Sequence, residues 1–300
     1  MSLLLQGESL SETWLEMLDT VVHAPGNRMV HVFATVADPT IPENPTIRHA
    51  VDAFLTPTRN HPKLQSVATV ANTIFPVSLY PDPQRSWDSG LDTTKPRARP
   101  YAGGNEDVQA AADVLFERYR FMYPRLRNAH HENERGTYFG RMIGWPGHAE
   151  GDKTRLGPIN QIQKRIDHIR NTHRDGAGSF NAADIALGDD LLDTEFDVQV
   201  YQASDDRTRS FPCLVHVDVG VHDGKVNLVG VYRLQVLIAK GYGNLLGLAR
   251  LQKFIAQQTG FEVGELGMLA TLASAANEAY GATRIGHLIE EARDQVLFPR

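Results

Sequence analysis

The clearest hydrophobic pattern in the chain lies between residues 214 and 236. Val215, Val217, Val219 and Val221 alternate with Leu214, His216, Asp218 and Gly220, the period of two expected of a strand with one buried face. Asp223-Gly224 follows as a two-residue turn, and residues 226–236 return as a second apolar strand. An Asp-Gly pair between two such runs is the strongest short-range hairpin signal. After Gly241-Tyr-Gly-Asn244 the period changes to that of a helix, expected at about 245–258 with Leu248, Leu251, Phe254 and Ile255 on its apolar stripe.

Elsewhere the pattern predicts helices at about 11–22, 46–55 and 106–120 and strands at about 29–36 and 196–202. A C-terminal amphipathic helix is expected at 283–296, where Ile285, Leu288, Ile289, Ala292 and Val296 share one side. Residues 76–100 hold five prolines among polar residues, so 76–104 reads as an irregular insertion. A second irregular insertion, rich in Gly, Asp and Ala, is expected at 174–193. Helices and strands thus mix along the chain, and the expectation is one α/β (α+β) domain over residues 1–300, with no internal repeat or low-complexity tail.

Composition narrows the setting. Hydrophobic residues make up 42% and charged residues 22% of 300 residues, ordinary for a globular chain able to bury a substantial core. No apolar run reaches 18 residues and Met1-Ser-Leu-Leu-Leu-Gln-Gly-Glu carries no charged n-region, so a cytoplasmic protein without a membrane partner is expected. A net charge of −6 supplies no general attraction to nucleic acid, although a free nucleotide could still bind a local basic pocket. The single cysteine, Cys213, excludes an internal disulfide framework and suits a reducing compartment.

Cys213 sits in Ser-Phe-Pro-Cys-Leu at the mouth of the hairpin, where a nucleophilic thiol would be expected. The unit that follows is strand, Asp-Gly turn, strand bearing Arg233, glycine-containing loop ending in Asn244, then helix. In this order residues 211–264 resemble the catalytic half of the thymidylate synthase superfamily, from Phe-Pro-Cys through Asp-Gly-Lys and Ala-Gln-Gln to Glu-Val-Gly. Upstream, Trp14-Leu-Glu-Met-Leu and Ile47-Arg-His-Ala-Val-Asp-Ala-Phe-Leu resemble the family's first two helices. Gly136-Thr-Tyr-Phe-Gly140 resembles its Gly-Pro-x-Tyr-Gly turn, and Gly157-Pro-Ile-Asn-Gln-Ile-Gln-Lys the helix after it.

The resemblance implies a large mixed β-sheet flanked by helices, a homodimer formed through the sheet, and one-carbon transfer, as methylation or hydroxymethylation, at C5 of a pyrimidine nucleotide. Cys213 matches the nucleophile that adds to C6, with 5,10-methylenetetrahydrofolate as donor. Arg233 matches the arginine shared by substrate phosphate and cysteine sulfur, Asn244 the asparagine on the pyrimidine edge, and Arg28 loosely the arginine of the phosphate loop. Gly241 and Gly243 would allow the loop backbone to approach the ligand closely. No metal is implied.

Departures from the family are equally concrete. Leu214 replaces the histidine after the nucleophile, Leu234 and Val236 replace a phosphate-binding serine and the carboxylate that holds the pterin, and Ser274 and Ala276 replace the pair on the deoxyribose hydroxyl. Thr194 and Glu195, preceded by Asp193, fall where the family has its paired arginines. Ala50 takes the place of the general-base glutamate, the nearest carboxylate being Asp52 two residues on. These losses argue against dUMP methylation and leave a cytidine or uridine nucleotide hydroxymethylase in front. The alternative is a catalytically altered relative that serves as a nucleotide-binding or interaction protein, since function belongs to sites and not to folds.

Simpler roles compete at each position. A lone cysteine is ordinarily a small buried hydrophobe, Arg233 could cover a sheet edge, and Asn244 could be the N-cap of the following helix. His130-His131-Glu132-Asn133-Glu134-Arg135 reads as a solvated helix end, because adjacent helical histidines diverge by about 100°; His216 and His222 read as surface residues. Register adds a constraint. In an undistorted hairpin closed at Asp223-Gly224, Cys213 faces Leu234 and Arg233 faces Leu214, on opposite sides of the sheet. Bringing Cys213 and Arg233 together requires a bulge, expected at Gly220 or Gly230.

Overall fold

A computed structural model of the protein describes residues 3–58, 64–82, 105–130, 133, 136–144, 159–175, 198–199 and 212–297. The first strand, β1 (Leu3–Gly7), leads into α1 (Leu10–Val22), and β2 (Arg28–Val36) follows. Three helices come next, α2 (Pro45–Phe54), α3 (Val67–Ile74) and α4 (Asn105–Ala129), then the short α5 (Tyr138–Ile143) and α6 (Gln161–Asp175). The strands β3 (Val198–Gln199), β4 (Leu214–His222), β5 (Lys225–Tyr232) and β6 (Gln235–Val236) precede α7 (Tyr242–Thr259). The chain closes with β7 (Glu262–Ser274), α8 (Asn277–Tyr280) and α9 (Ala282–Leu297).

The sheet is mixed. Its order is β1-β2-β7-β5-β4-β3, with β6 continuing along β7 beyond β5. β1 runs parallel to β2, and β5 and β6 parallel to β7, while β2–β7, β4–β5 and β3–β4 are antiparallel. The expected mixed α/β class is therefore observed.

Local chemistry sets the helix starts. Ser9 accepts from Glu12 N, Asn44 from Thr46 N and Ile47 N with Pro45 at the first helical position, and Ser66 from Thr69 N, each satisfying donors that the first turn leaves open. One face of α1 buries Leu10, Trp14, Met17, Leu18 and Val21, the helical spacing of a core stripe. By contrast, every residue from Tyr242 to Gln252 is buried, so α7 is a helix through the middle of the core.

Such a helix needs close neighbours. A Cβ at Gly243 would lie 2.6 Å from Val70 Cβ, and one at Gly247 would lie 2.8 Å from Ile74 Cβ, so the two glycines let α3 settle directly against α7. Below them, Leu248 fills the space beside Gly230 on β5. Gln252 Nε2 donates to the carbonyls of Val226, Gly264 and Glu265 at 2.8, 3.0 and 2.9 Å, where the β5–β7 register slips between Val226 and Leu228. The side chain thus occupies backbone acceptors that the bulge takes out of the ladder.

On the opposite face of the sheet the register lines up Leu4, Phe33, Leu269, Val231 and His216 in one cross-strand row. Leu4 is 78% exposed, and Phe33, Leu269 and Val231 are partly exposed. Among the described residues, no helix is long and apolar enough to cross a membrane.

Candidate functional site

The register problem of the hairpin is solved at a different place from the one expected. From His222↔Lys225 to His216↔Val231 the pairing of β4 and β5 is regular, and it then shifts so that Leu214 faces Tyr232. Val215 is the extra residue, and neither Gly220 nor Gly230 is involved. A bulge needs no glycine when the inserted residue keeps an ordinary backbone conformation. With Val215 inserted, Leu214 joins Val217, Val219 and Val221 on the buried face, and Val215 is only partly buried.

The same slip brings Cys213 directly opposite Arg233. The Arg233 amide donates to Cys213 O at 3.0 Å, and Arg233 Nε donates to Pro212 O at 3.0 Å. Side chains of directly opposed residues project to one face, so the pair that an undistorted hairpin separates is now adjacent. Cys213 is partly buried and Arg233 exposed. Two phenols lie behind the thiol. Tyr138 Oη accepts from Leu214 N at 3.5 Å, and Tyr232 Oη is buried without a hydrogen bond. Burial, then Tyr138 and then Cys213, push the Tyr232 phenol well above its ordinary range.

Beyond Tyr232 the strand breaks at Arg233-Leu234 and resumes as β6 in the same register on β7. Thr271 Oγ1 holds the break by donating to Arg233 O at 2.7 Å. Val236 faces Ser274 on β7, and Ser274 in turn faces Arg28 on β2. Arg28 is exposed and sits two inter-strand spacings from Val236, roughly 10 Å. It follows a tight turn in which Gly26 and Asn27 adopt positive φ, so it begins a strand and not a long phosphate loop. Cys213, Arg233, Val236, Ser274 and Arg28 therefore line one end of the sheet.

Asn244 reaches this end from within the helix. The chain leaves β6 through a π-helical turn, Leu237–Gly241, and enters α7 at Tyr242, so Asn244 lies in the first turn of the helix and caps nothing. That corrects the N-cap reading and the expected start at 245. It also corrects the expected role of the glycines: Gly243 packs on α3 and Gly241 on Trp14, so neither is a ligand-facing loop residue. Asn244 is 3% exposed and Gln235 1%, and Asn244 Nδ2 donates to Gln235 Oε1 at 3.1 Å. Gln235 Nε2 is buried without a partner.

A polar brace fixes the π-helical turn. Trp14 Nε1 donates to Leu237 O at 3.1 Å, and its ring stacks on Tyr242 at 5.2 Å between centroids. The Tyr242 and Ser11 hydroxyls share a hydrogen bond of 2.8 Å. Burial, and secondarily Glu43, hold the Tyr242 phenol well above its ordinary range. Nearby, Arg48 Nη1 donates to both oxygens of Glu43 at 2.9 Å, and Nε donates to Asp52 Oδ2 at 2.7 Å. Burial lowers the Arg48 pKa, but Glu43 and Asp52 outweigh it and the net shift is upward. Asp52 Oδ1 accepts from Val67 N at 2.9 Å. With both oxygens of Asp52 engaged, the carboxylate nearest the matched general-base position holds α2 to α3.

The remaining departures also take visible roles. Leu214 is in the core, Val236 is partly buried, and Ser274 Oγ accepts from Ala276 N at 3.1 Å, where Ala276 adopts a left-handed conformation. Asp193, Thr194, Glu195, His131 and Glu132 lie outside the described residues, as does most of each irregular insertion. Among the described residues no group of three or more His, Cys, Asp or Glu could hold a metal ion. Sequence reasoning missed Gln235, whose signal is one polar residue in the apolar run Leu234–Gln235–Val236–Leu237, and the Glu43–Arg48 pair. Neither a protein-family model nor a curated protein sequence matches the chain.

Proposed function

We propose that the protein activates C5 of a pyrimidine nucleotide for one-carbon transfer, with Cys213 as the nucleophile. The observation that carries this reading is the one-residue bulge at Val215, which sets Cys213 opposite Arg233 at the sheet end that also holds Asn244. The Cys213 thiolate adds to C6 and the C5=C6 electron pair moves to C5, making C5 nucleophilic toward an electrophilic one-carbon unit. Arg233 stabilises the thiolate and the ligand phosphate by charge, and Asn244 reads the base edge. Loss of the C5 proton and departure of the thiolate from C6 restore the ring.

A folate held through a carboxylate does not fit the described residues, because Val236 occupies that position opposite Ser274; the reading goes no further than the activated C5. The protein acts as a homodimer, with the apolar row Leu4–Phe33–Leu269–Val231 of one copy against that of the next. An orthodox dUMP methylase is disfavoured, since the positions for its general base and its sugar contacts hold Ala50, Ser274 and Ala276. The engagement of both Asp52 oxygens favours a second reading, a nucleotide-binding protein that has kept the scaffold and lost the chemistry.

Tritium release from C5-labelled UMP, dUMP, CMP and dCMP separates the two readings, with Cys213→Ala as control. Addition at C6 makes the C5 proton exchangeable, so release that vanishes in the variant is the expected result. Binding without release would leave the second reading, and neither binding nor release would overturn both.

A further inference from the structure

Left-handed backbone is concentrated at the end of the sheet that holds Cys213. Among the described residues four that are not glycine have positive φ, and three of them, Asn27, His31 and Ala276, belong to this end. The fourth is Asp223, in the hairpin turn. Such a conformation is disfavoured for any residue with a Cβ, and strain of this kind gathers at active sites and ligand clamps. Two of the three have local reasons. Asn27 closes the turn into β2, and Ala276 lies just beyond β7, where Ser274 Oγ accepts its N–H. His31 closes no turn. It lies inside β2 with φ of 52°, between Val30 and Val32, which pair with Leu272 and Ala270, and it is exposed.

The register shows what His31 faces. Between those two pairs it stands opposite Thr271, and Thr271 stands beside Arg233, whose carbonyl its hydroxyl holds at 2.7 Å. Arg233 is in turn opposite Cys213. His31, Thr271, Arg233 and Cys213 thus form one cross-strand row, of which the first three are exposed. Two strand spacings, roughly 10 Å, separate His31 from Arg233. A single phosphate held by Arg233 ends there. A chain of two or three phosphates runs on over Thr271, and its far oxygens come within reach of the imidazole. Neutral histidine has one ring N–H to donate to such an oxygen and protonated histidine has two.

We propose that His31 is a specificity-determining residue that binds the outer phosphates of a nucleoside di- or triphosphate, so that the polyphosphate and not the monophosphate is the preferred ligand of this site. The proposal rests on the reading of Arg233 as the phosphate contact. It gives the strained position inside β2 a use, since histidine is one of the few side chains enriched in left-handed backbone.

The test is titration calorimetry of the wild type, His31→Gly and His31→Asn with UMP, UDP, UTP, CMP, CDP and CTP in metal-free buffer. Glycine takes a positive φ without cost and asparagine tolerates it, so both variants keep the backbone and lose the imidazole. The wild type is expected to bind the triphosphate about tenfold or more tighter than the monophosphate of the same base, the worth of one hydrogen bond to a charged group. In both variants that ratio falls to within about threefold of unity with monophosphate affinity unchanged. Far-UV circular dichroism shows the fold retained, and the urea midpoint of His31→Gly is no lower than that of the wild type. A merely structural role would weaken all six ligands alike and leave the ratio intact, and that result would overturn the proposal. A wild type that binds monophosphate as tightly as triphosphate overturns it without any variant. Should the wild type bind none of the six, the nucleotide reading itself fails, an outcome distinct from loss of the polyphosphate preference.

Discussion

Replacing Gly243 by alanine tests whether α7 is held by close approach to α3 or by side-chain burial alone. The added Cβ would meet Val70 Cβ at 2.6 Å, Val70 Cγ1 at 2.8 Å and the Val67 carbonyl oxygen at 2.9 Å. Two of these three atoms are fixed by the α3 backbone and cannot turn away, so the helices must separate by roughly 1 Å. Overpacking of this kind costs about 1–3 kcal/mol, and the better helix propensity of alanine returns about 1 kcal/mol. The expected net loss is about 0–2 kcal/mol. Gly286, in the interior of α9, has nothing within 4 Å of the same added atom, so Gly286→Ala is expected to gain about 0.5–1 kcal/mol. Urea unfolding of the two variants, with unchanged m-values, reads the difference of opposite sign. Adding Val70→Ala to Gly243→Ala removes only the Cγ1 contact and should rescue only part of the loss. A Gly243→Ala protein as stable as Gly286→Ala would refute the packing argument.

Arg48→Met strands Glu43, whose side chain is 12% exposed against 7% for Arg48, and is expected to cost about 3 kcal/mol, with part regained in Arg48→Met/Glu43→Gln because only the more exposed Asp52 is then left without its cation; calorimetric unfolding measures both, and additive losses would refute the pairing. The phenols of Tyr119, Tyr232 and Tyr242 are raised by burial, so the folded state keeps protons that the unfolded chain releases near pH 10. Their stability contribution is complete below that pH and is lost as pH rises through it. Urea midpoints between pH 8 and 11 should fall at the alkaline end together with phenolate absorbance, and phenolate appearing well before unfolding would contradict the burial of these rings.

The hairpin was legible because its alternating valines and Asp-Gly turn are local signals, and the approximate bounds of α1, α2, β2 and α9 followed from apolar spacing. What escaped was set by neighbours distant in sequence. β7 is flanked by β2 on one side and by β5 and β6 on the other, and apolar residues at both parities, among them Leu266, Met268, Leu269 and Leu272, give no alternation to read. The helix at 245 was placed late because Gly241 and Gly243 look like a loop until Trp14 and Val70 are beside them. Likewise α4 runs on to Ala129 through Pro124, although a proline inside a helix removes a hydrogen bond. For the site, Cys213, Arg233 and Asn244 were singled out by the motif order shared with a known family, but the bulge that aligns the first two has no glycine to betray it.

The hairpin also separates two jobs along its length. Nine residues of β4 lie between the thiol end and the Asp223-Gly224 turn, a span of roughly 30 Å at the rise of a strand. Register at the thiol end is held by Val215 and by the parallel seam of β5 on β7, not by the turn. The turn is thus a place to open the chain: new termini, a fluorophore or an inserted domain at Asp223-Gly224 would sit at the far end of the hairpin from Cys213.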